Sequence, residues 1–377
     1  MPPDSSIATD AVPAAPRRIV IVLLGAIGDV VRALPLLGRL RRAYPAAHIA
    51  WAVEPKSEPI VRGHRWLDEV ILYQRGRGPQ AFVKFIRQIR AGRFDLAIDL
   101  QRHLKSGVAS FASGARERLG FARPNAKEFN YLFSTRKIAP QPPMRLKLAQ
   151  YQAFGDTLGI APAPPEFGLE LGADQRARAI GLLADTQAPR LGVIVGSSWP
   201  SRVYFPEATA AVIRDLMHPV NGAPALFPIL LGGPGDVALA AEVRRHLDGA
   251  PVLDLAGRTD LRDLIGIFGE CAAAFGPDCG PMHIAAAVGC PVVSLWGATA
   301  PQRSAPWGFA ELAVRAEIAC HPCYLRECPI GRECMRRITP EAVAAAVRRA
   351  LSAVPALDAR APGADMVGAG EASGSRR

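Results

Sequence analysis

Residues 17–45 read RRIVIVLLGAIGDVVRALPLLGRLRRAYP, and the order of their parts decides the fold. Arg17–Leu24 is a short apolar run rich in β-branched residues, the pattern of a strand buried on both faces of a parallel sheet. Gly25-Ala26-Ile27-Gly28-Asp29 follows as a tight turn. Val30, Val31, Leu34, Leu37 and Leu40 then recur at helical spacing, and Pro45 ends the helix before a second strand at Ile49–Val53.

Outward from this unit the alternation continues. Glu69–Tyr73 and Leu96–Leu100 read as strands, with a helix near Gln80–Ala91 between them. Pro-rich stretches at 139–143 and 161–168 bracket a helical Lys147–Leu158. A second alternation starts at Leu191–Val195. Its strands are Phe227–Leu231, Ala272–Gly276 and Val292–Trp296, and its helices are Glu207–Met217, Asp236–Leu247, Leu261–Gly269 and Met282–Val288. Thr339-Pro340-Glu341 opens a last helix with an N-cap and a proline at the first helical position. The expectation is an α/β protein of two Rossmann-like domains facing a cleft. Residues 17–170 form the first domain and 189–354 the second, joined by a linker at 171–188, within which 174–186 suit a linker or a helix. Disordered extensions cover 1–16 and 355–377.

Composition narrows the function. The chain has 377 residues, 49% hydrophobic and 21% charged, enough for sizeable cores. No stretch reads as a membrane span, residues 1–16 lack the basic region of a secretory signal, and seven cysteines are too few for a disulfide framework, so a cytoplasmic protein is expected. The net charge is +11, and residues 1–188 carry all of it, with 27 basic and 16 acidic side chains. Such an excess calls for an anionic partner.

Two loops carry the chemistry. Gly25-Ala-Ile-Gly28-Asp29 lies where a strand hands over to a helix, the place where parallel sheets bind ligands. Its G-x-x-G-D spacing is not the G-x-G-x-x-G of a dinucleotide site. Asp29 is placed either to cap the helix or to take a proton from an attacking hydroxyl. In the second half, Phe275-Gly-Pro-Asp278-Cys279-Gly280-Pro-Met-His283 again joins a strand to a helix. Backbone amides at that helix start suit an anion such as a diphosphate. Asp278 and His283 either meet sugar and phosphate oxygens or serve as a helix cap and an ordinary half-buried residue.

Taken together, these loops resemble the glycosyltransferase family 9 of lipopolysaccharide core heptosyltransferases, from about Arg18 to about Val347. The resemblance rests on the opening Ile19–Pro45, on Asp99-Leu-Gln101-Arg-His-Leu-Lys105-Ser106, on Gly196-Ser197-Ser198-Trp199, and on Asp278-x-Gly280-x-x-His283 followed by Trp296-Gly297-x-Thr299-x-Pro301. It implies a GT-B arrangement and an inverting transfer of heptose from ADP-heptose to the lipopolysaccharide inner core. Asp29 takes the general-base position. Ser197, Ser198, Arg202, Thr259, Asp278, Cys279, Gly280, His283 and Thr299 fall on the donor side, and Gly28, Lys105 and Arg123 on the acceptor side. Arg202 stands where the family usually has a lysine, with one extra residue before Pro206. A general base and fixed phosphate donors suffice for the reaction, and there is no D-x-D, so no metal or other cofactor is expected. The partners are then the nucleotide sugar and an anionic lipopolysaccharide acceptor at the inner membrane, with the enzyme peripheral to it.

Other readings differ in what they require. A GT-B transferase or epimerase for another nucleotide sugar would keep the same loops. A nucleic-acid-binding protein would explain the charge, yet no zinc-finger, helix-turn-helix or RNP pattern is present. A non-catalytic scaffold would have no need of Asp29, Asp278 and His283 at their family positions. Separately, Cys320-His321-Pro-Cys323-x4-Cys328-x5-Cys334 gathers four cysteines and a histidine, open to a structural metal, to reduced packing cysteines or to labile disulfides.

Overall fold

The structure, a computed structural model, describes residues 15–187, 189–220 and 222–352. The extensions expected at 1–16 and 355–377 therefore lie almost wholly outside the described residues. The first sheet contains β1 (Arg18–Val22), β2 (His48–Val53), β3 (Glu69–Leu72), β4 (Leu96–Asp99), β5 (Glu117–Gly120) and β6 (Arg136–Lys137), in the order β3-β2-β1-β4-β5-β6. The second contains β7 (Arg190–Ile194), β8 (Phe227–Leu231), β9 (Leu253–Asp254), β10 (Cys271–Pro277), β11 (Val292–Trp296) and β12 (Val314–Arg315), in the order β12-β11-β10-β7-β8-β9. Every pairing within the two sheets is parallel. Counted from its own first strand, each sheet has the doubly wound order 3-2-1-4-5-6.

The apolar run in β1 explains why it sits at the centre. Residues Ile19–Val22 are fully buried. Ile19 and Ile21 pack into the core under the helix Ile27–Ala43, while Val20 and Val22 face a separate core with Phe85 and Ile89. A strand covered on both faces has no need of polar alternation. The same logic applies to β10, every residue of which is buried.

Four strands escape a sequence reading: β5, β6, β9 and β12. They are two to four residues long and lie toward the sheet edges, too short to show a period. The helix Leu104–Ala112 is likewise absent from the sequence reading. The segment between the two alternations contains a helix, Ala173–Leu182. It packs on the helix Leu261–Gly269 of the second half, with Arg178 paired to Asp263 at 2.8 Å. Among the described residues no helix is long and apolar enough to cross a membrane.

The two halves meet where their functional loops begin. The helices Ile27–Ala43 and Gly280–Ala287 abut near their N-termini. A Cβ on Gly280 would lie 2.8 Å from Ile27 Cβ, and one on Gly28 would lie 2.7 Å from a ring carbon of His283. Only hydrogen fits at both positions. Beside this junction Arg262 donates to the Arg62 carbonyl (2.8 Å) and to Gln175 Oε1 (2.6 Å).

Gly280→Ala is expected to lower stability by about 1–3 kcal/mol through forced overpacking, read as a lower thermal midpoint. An unchanged midpoint would show that the junction yields freely.

Candidate functional site

The first strand of each sheet ends at the point where the strand order reverses. The loops after β1 and β4 therefore lie at the switch point of the first sheet and those after β7 and β10 at that of the second, and the helices that follow β1 and β10 abut. The loop after β1 is held from β4. Gln101 Oε1 accepts the amides of Leu24 (2.9 Å) and Gly25 (3.3 Å). Asp99 is buried and accepts the Gln101 amide (2.9 Å) and Asn130 Nδ2 (2.7 Å). Burial raises the pKa of its carboxyl against those hydrogen bonds. The Asp-x-Gln spacing thus builds a brace under the glycine turn.

Asp29 stands in the first turn of its helix but does not cap it. The N-cap is Ala26, with no side-chain cap bond. Instead the Asp29 carboxylate receives Lys147 Nζ on both oxygens, at 2.7 and 2.9 Å, and Arg32 Nη1 at 2.5 Å. Burial disfavours the charge, but Lys147 and Arg32 outweigh it and hold the carboxyl well below the usual range. Burial and Arg32 in turn push Lys147 down to about 8 against the pull of Asp29. The Tyr151 hydroxyl, buried beside the same carboxylate, is raised by burial and then by Asp29.

Arg32 also crosses to the second half. Its Nη2 lies 2.8 Å from His283 Nε2. A guanidinium only donates, so Nε2 accepts and the imidazole proton sits on Nδ1. Burial and the Arg32 charge hold His283 far below its ordinary pKa, hence neutral. His283 is therefore neither half-buried nor ordinary.

Lys147 is delivered by a second buried arginine. Arg39, two turns after Arg32, donates to the Gln152 carbonyl (3.0 Å), Gln152 Oε1 (2.9 Å), Asp156 (2.8 Å) and the Ile160 carbonyl (2.5 Å). These bonds fasten the helix Lys147–Thr157 along the helix Ile27–Ala43 and set Lys147 opposite Asp29. Neither Lys147 nor Arg32 is among the site residues expected from the sequence. The signal available was the pair Asp29 and Arg32 at i, i+3, with Arg32 and Arg39 seven apart in the otherwise uncharged stretch Val30–Leu40.

A second group surrounds Asp278. Thr299 donates to its carboxylate at 2.7 Å, and Arg202 Nη1 lies 3.1 Å from the same oxygen. Ser197 donates to its carbonyl at 3.1 Å. Arg202 is stacked on Trp199, 3.9 Å from the ring centre, so it reaches this loop despite the extra residue before Pro206. Asp278 is not a cap either, because the N-cap is Cys279. The Cys279 thiol is buried and pushed up to about 12, which keeps it from acting as a thiolate.

The structure thus joins Gly28, Asp29 and His283 in one group and Ser197, Arg202, Asp278, Cys279, Gly280 and Thr299 in the neighbouring one. Other expected residues lie outside both. Ser198 is exposed next to Ser197. Thr259 precedes Asp260, which is the true cap of the helix Leu261–Gly269. Lys105 is exposed in the first turn of the helix Leu104–Ala112, within reach of the charge on Glu54. Arg123 is exposed with its guanidinium 5.7 Å from the Tyr131 ring. Cys271, Cys279, Cys320, Cys323, Cys328 and Cys334 are free, and among the described residues no group of three or more His, Cys, Asp or Glu is placed to hold a metal.

The family model described as glycosyltransferase family 9 (heptosyltransferase) matches residues 82–333. The chain is 25% identical over 295 residues to the lipopolysaccharide core heptosyltransferase OpsX of Haemophilus influenzae, covering 78% of this chain and 82% of that protein. It is 26% identical over 353 residues to lipopolysaccharide heptosyltransferase 1 of Pseudomonas aeruginosa, covering 87% and 96%. The structure of the Escherichia coli heptosyltransferase WaaC with ADP-2-deoxy-2-fluoro heptose aligns at a TM-score of 0.67, with 20% identity, over 88% of this chain and 99% of that one.

Histidine-labelled NMR checks the geometry at Arg32. His283 is expected to stay neutral, with its proton on Nδ1, at about pH 6. Arg32→Met should raise its proton affinity by removing the adjacent cation. A His283 that titrates near 6.5 in the unmodified protein would contradict the contact.

Proposed function

The chain belongs to glycosyltransferase family 9, and we propose that it transfers heptose from ADP-heptose to the lipopolysaccharide inner core with inversion. The observation that carries this reading is the ionised Asp29 carboxylate, set at the junction of the two halves and next to the helix start that follows Asp278. The names of the relatives supply the sugar and the acceptor class, and the WaaC complex supplies the form of the donor.

The chemistry follows from the geometry. The donor diphosphate occupies the N-terminus of the helix Gly280–Ala287, where backbone amides and the helix dipole favour an anion. Gly280 and Cys279 let it approach the backbone. Ser197, Ser198, Arg202 and Thr299 line the donor side, with Asp278 orienting Arg202 and Thr299, and Thr259 stands on the adenine side. Lys105, Arg123 and Gly28 belong to the acceptor side, formed by residues 17–170. Residues 189–354 bind the nucleotide, and 171–188 connect the two.

An acceptor hydroxyl gives its proton to Asp29 as its oxygen attacks the anomeric carbon from the face opposite the diphosphate. The bond from that carbon to the phosphate oxygen breaks, and ADP leaves with the electron pair. Arg202 and the helix start meet the growing charge. Because Asp29 is tied to Lys147 and Arg32, the acceptor must displace at least one of these partners to reach it. An anionic acceptor suits that exchange, since Lys147 then passes from one carboxylate to another anion. The excess of basic residues in the first half fits such an acceptor. We place the enzyme in the cytoplasm, peripheral to the inner membrane.

Asp29→Asn should lower kcat by about 10²–10⁴-fold while ADP-heptose still binds, as read by ADP release and donor titration. Near-normal turnover of that variant would remove Asp29 from the mechanism. Lys147→Met takes away the cation that most favours the Asp29 carboxylate. Its pKa then rises, and the acid limb of kcat/KM should move up by about one pH unit or more. An unmoved limb would show that Lys147 does not control the base.

A further inference from the structure

We propose that the face formed by the helix Leu104–Ala112 and the turn Asn130–Phe133 docks on an anionic lipid bilayer. Four large apolar side chains stand out on these two elements and at Phe129, the residue that leads into the turn: Phe129 is 70% exposed, Leu132 68%, Phe111 60% and Leu104 45%. Single exposed apolar residues are ordinary, whereas a group on adjoining elements marks a contact surface.

The elements form one surface. Leu104 and Phe111 are two turns apart on the same side of the helix. Phe111 meets Phe133 edge-on, with ring centres 6.3 Å apart. A Cβ on Gly107 would lie 2.6 Å from the Phe133 ring, so the turn sits directly on the helix. Asn130 locks it there by donating to the His103 carbonyl (2.8 Å) and to Asp99 (2.7 Å). Phe129 adopts φ +58, a left-handed backbone that a bulky residue enters only at a cost. Its ring nonetheless faces water. Two unfavourable features at one position point to a role outside the isolated fold.

Charge selects the occupant. Residues 102–147 hold ten Lys and Arg but only two acidic side chains. Both acids are already engaged, Glu117 with Arg136 at 2.9 Å and Glu128 with His103 at 3.1 Å. Lys105, Arg116, Arg123, Lys127, Lys137 and Arg145 are exposed. Arg118 lies over the Phe111 ring at 5.4 Å and donates to the Phe133 carbonyl at 2.8 Å, an apolar stem with a cationic head. Apolar side chains that enter the acyl boundary, rimmed by cations that meet lipid phosphates, are what an interfacial anchor requires. Aliphatic Leu104 and Leu132 suit acyl chains better than they suit bases, which stack on flat rings. The helix begins just after β4, at the same sheet edge as Asp29, so docking would turn the acceptor side of the cleft toward the lipid.

The proposal rests on the heptosyl-transfer reading only for the lipid anchoring of the acceptor, and its test does not need turnover. Flotation with phosphatidylglycerol–phosphatidylethanolamine vesicles is compared with flotation on phosphatidylcholine alone. The full chain is expected to bind the anionic vesicles only, and less at high salt. Phe129→Asp with Leu132→Asp should weaken binding by about tenfold or more, and Lys127→Glu with Lys137→Glu by about fivefold per charge. The apolar variant should keep its thermal midpoint and its turnover with a water-soluble, deacylated acceptor. Equal binding to both vesicles, binding to neither, or undiminished binding by the variants overturns the proposal, as does tighter binding to single-stranded nucleic acid than to anionic vesicles. Vesicle binding without heptosyl transfer would uphold docking and contradict the transfer reading instead.

Discussion

Gly28 and Gly280 meet where the first functional helices of the two sheets converge, and the rest of the site depends on that contact. Without side chains at these positions the two helix starts come close enough for His283 to touch the first half and for Arg32 to reach the second. Two positive helix ends facing each other would repel. The Asp29 carboxylate in the first turn of one of them offsets that repulsion, and an anionic donor at the other would complete the balance.

The consequence is a row of charges, each accounted for by its neighbour. Lys147 and Arg32 keep Asp29 ionised despite burial, Arg32 keeps His283 neutral, and Arg39 places Lys147. A carboxylate so strongly favoured is a weak base. It becomes an effective one only when a cation is drawn off it, and the depressed proton affinity of Lys147 shows how little its charge is favoured in that position. In the proposed mechanism, substrate entry and activation of the base are one event. Beside this row, Asp278 positions Arg202 and Thr299 rather than capping its helix.

Much of this was legible in the residues because the central strands are buried on both faces. Ile19–Val22, Leu191–Ile194 and the run through Phe275 announce themselves by composition, and the glycine-bearing turns after them announce the crevice. The edge strands β5, β6, β9 and β12 were not legible, being held by neighbours rather than by their own pattern. In the site, Asp29, Asp278, His283 and Thr299 could be picked out because they stand in strand-to-helix turns, or in the first helical turn after them, with recognisable spacing. Lys147 could not, since it comes from a helix 118 positions away and is brought in by Arg39. The question of whether Asp29 and Asp278 cap their helices was open in the sequence. It is answered by partners, Lys147 in one case and Thr299 with Arg202 in the other, that only the folded chain supplies.

The most direct test of the central claim is a crystal structure of the protein with ADP-2-deoxy-2-fluoro heptose, a donor whose sugar leaves slowly. The account predicts the diphosphate on the amides at Gly280, beside Ser197 and Arg202, with the anomeric carbon facing Asp29 across the junction. A diphosphate bound away from the helix Gly280–Ala287, or a sugar turned with its anomeric carbon away from Asp29, would contradict it.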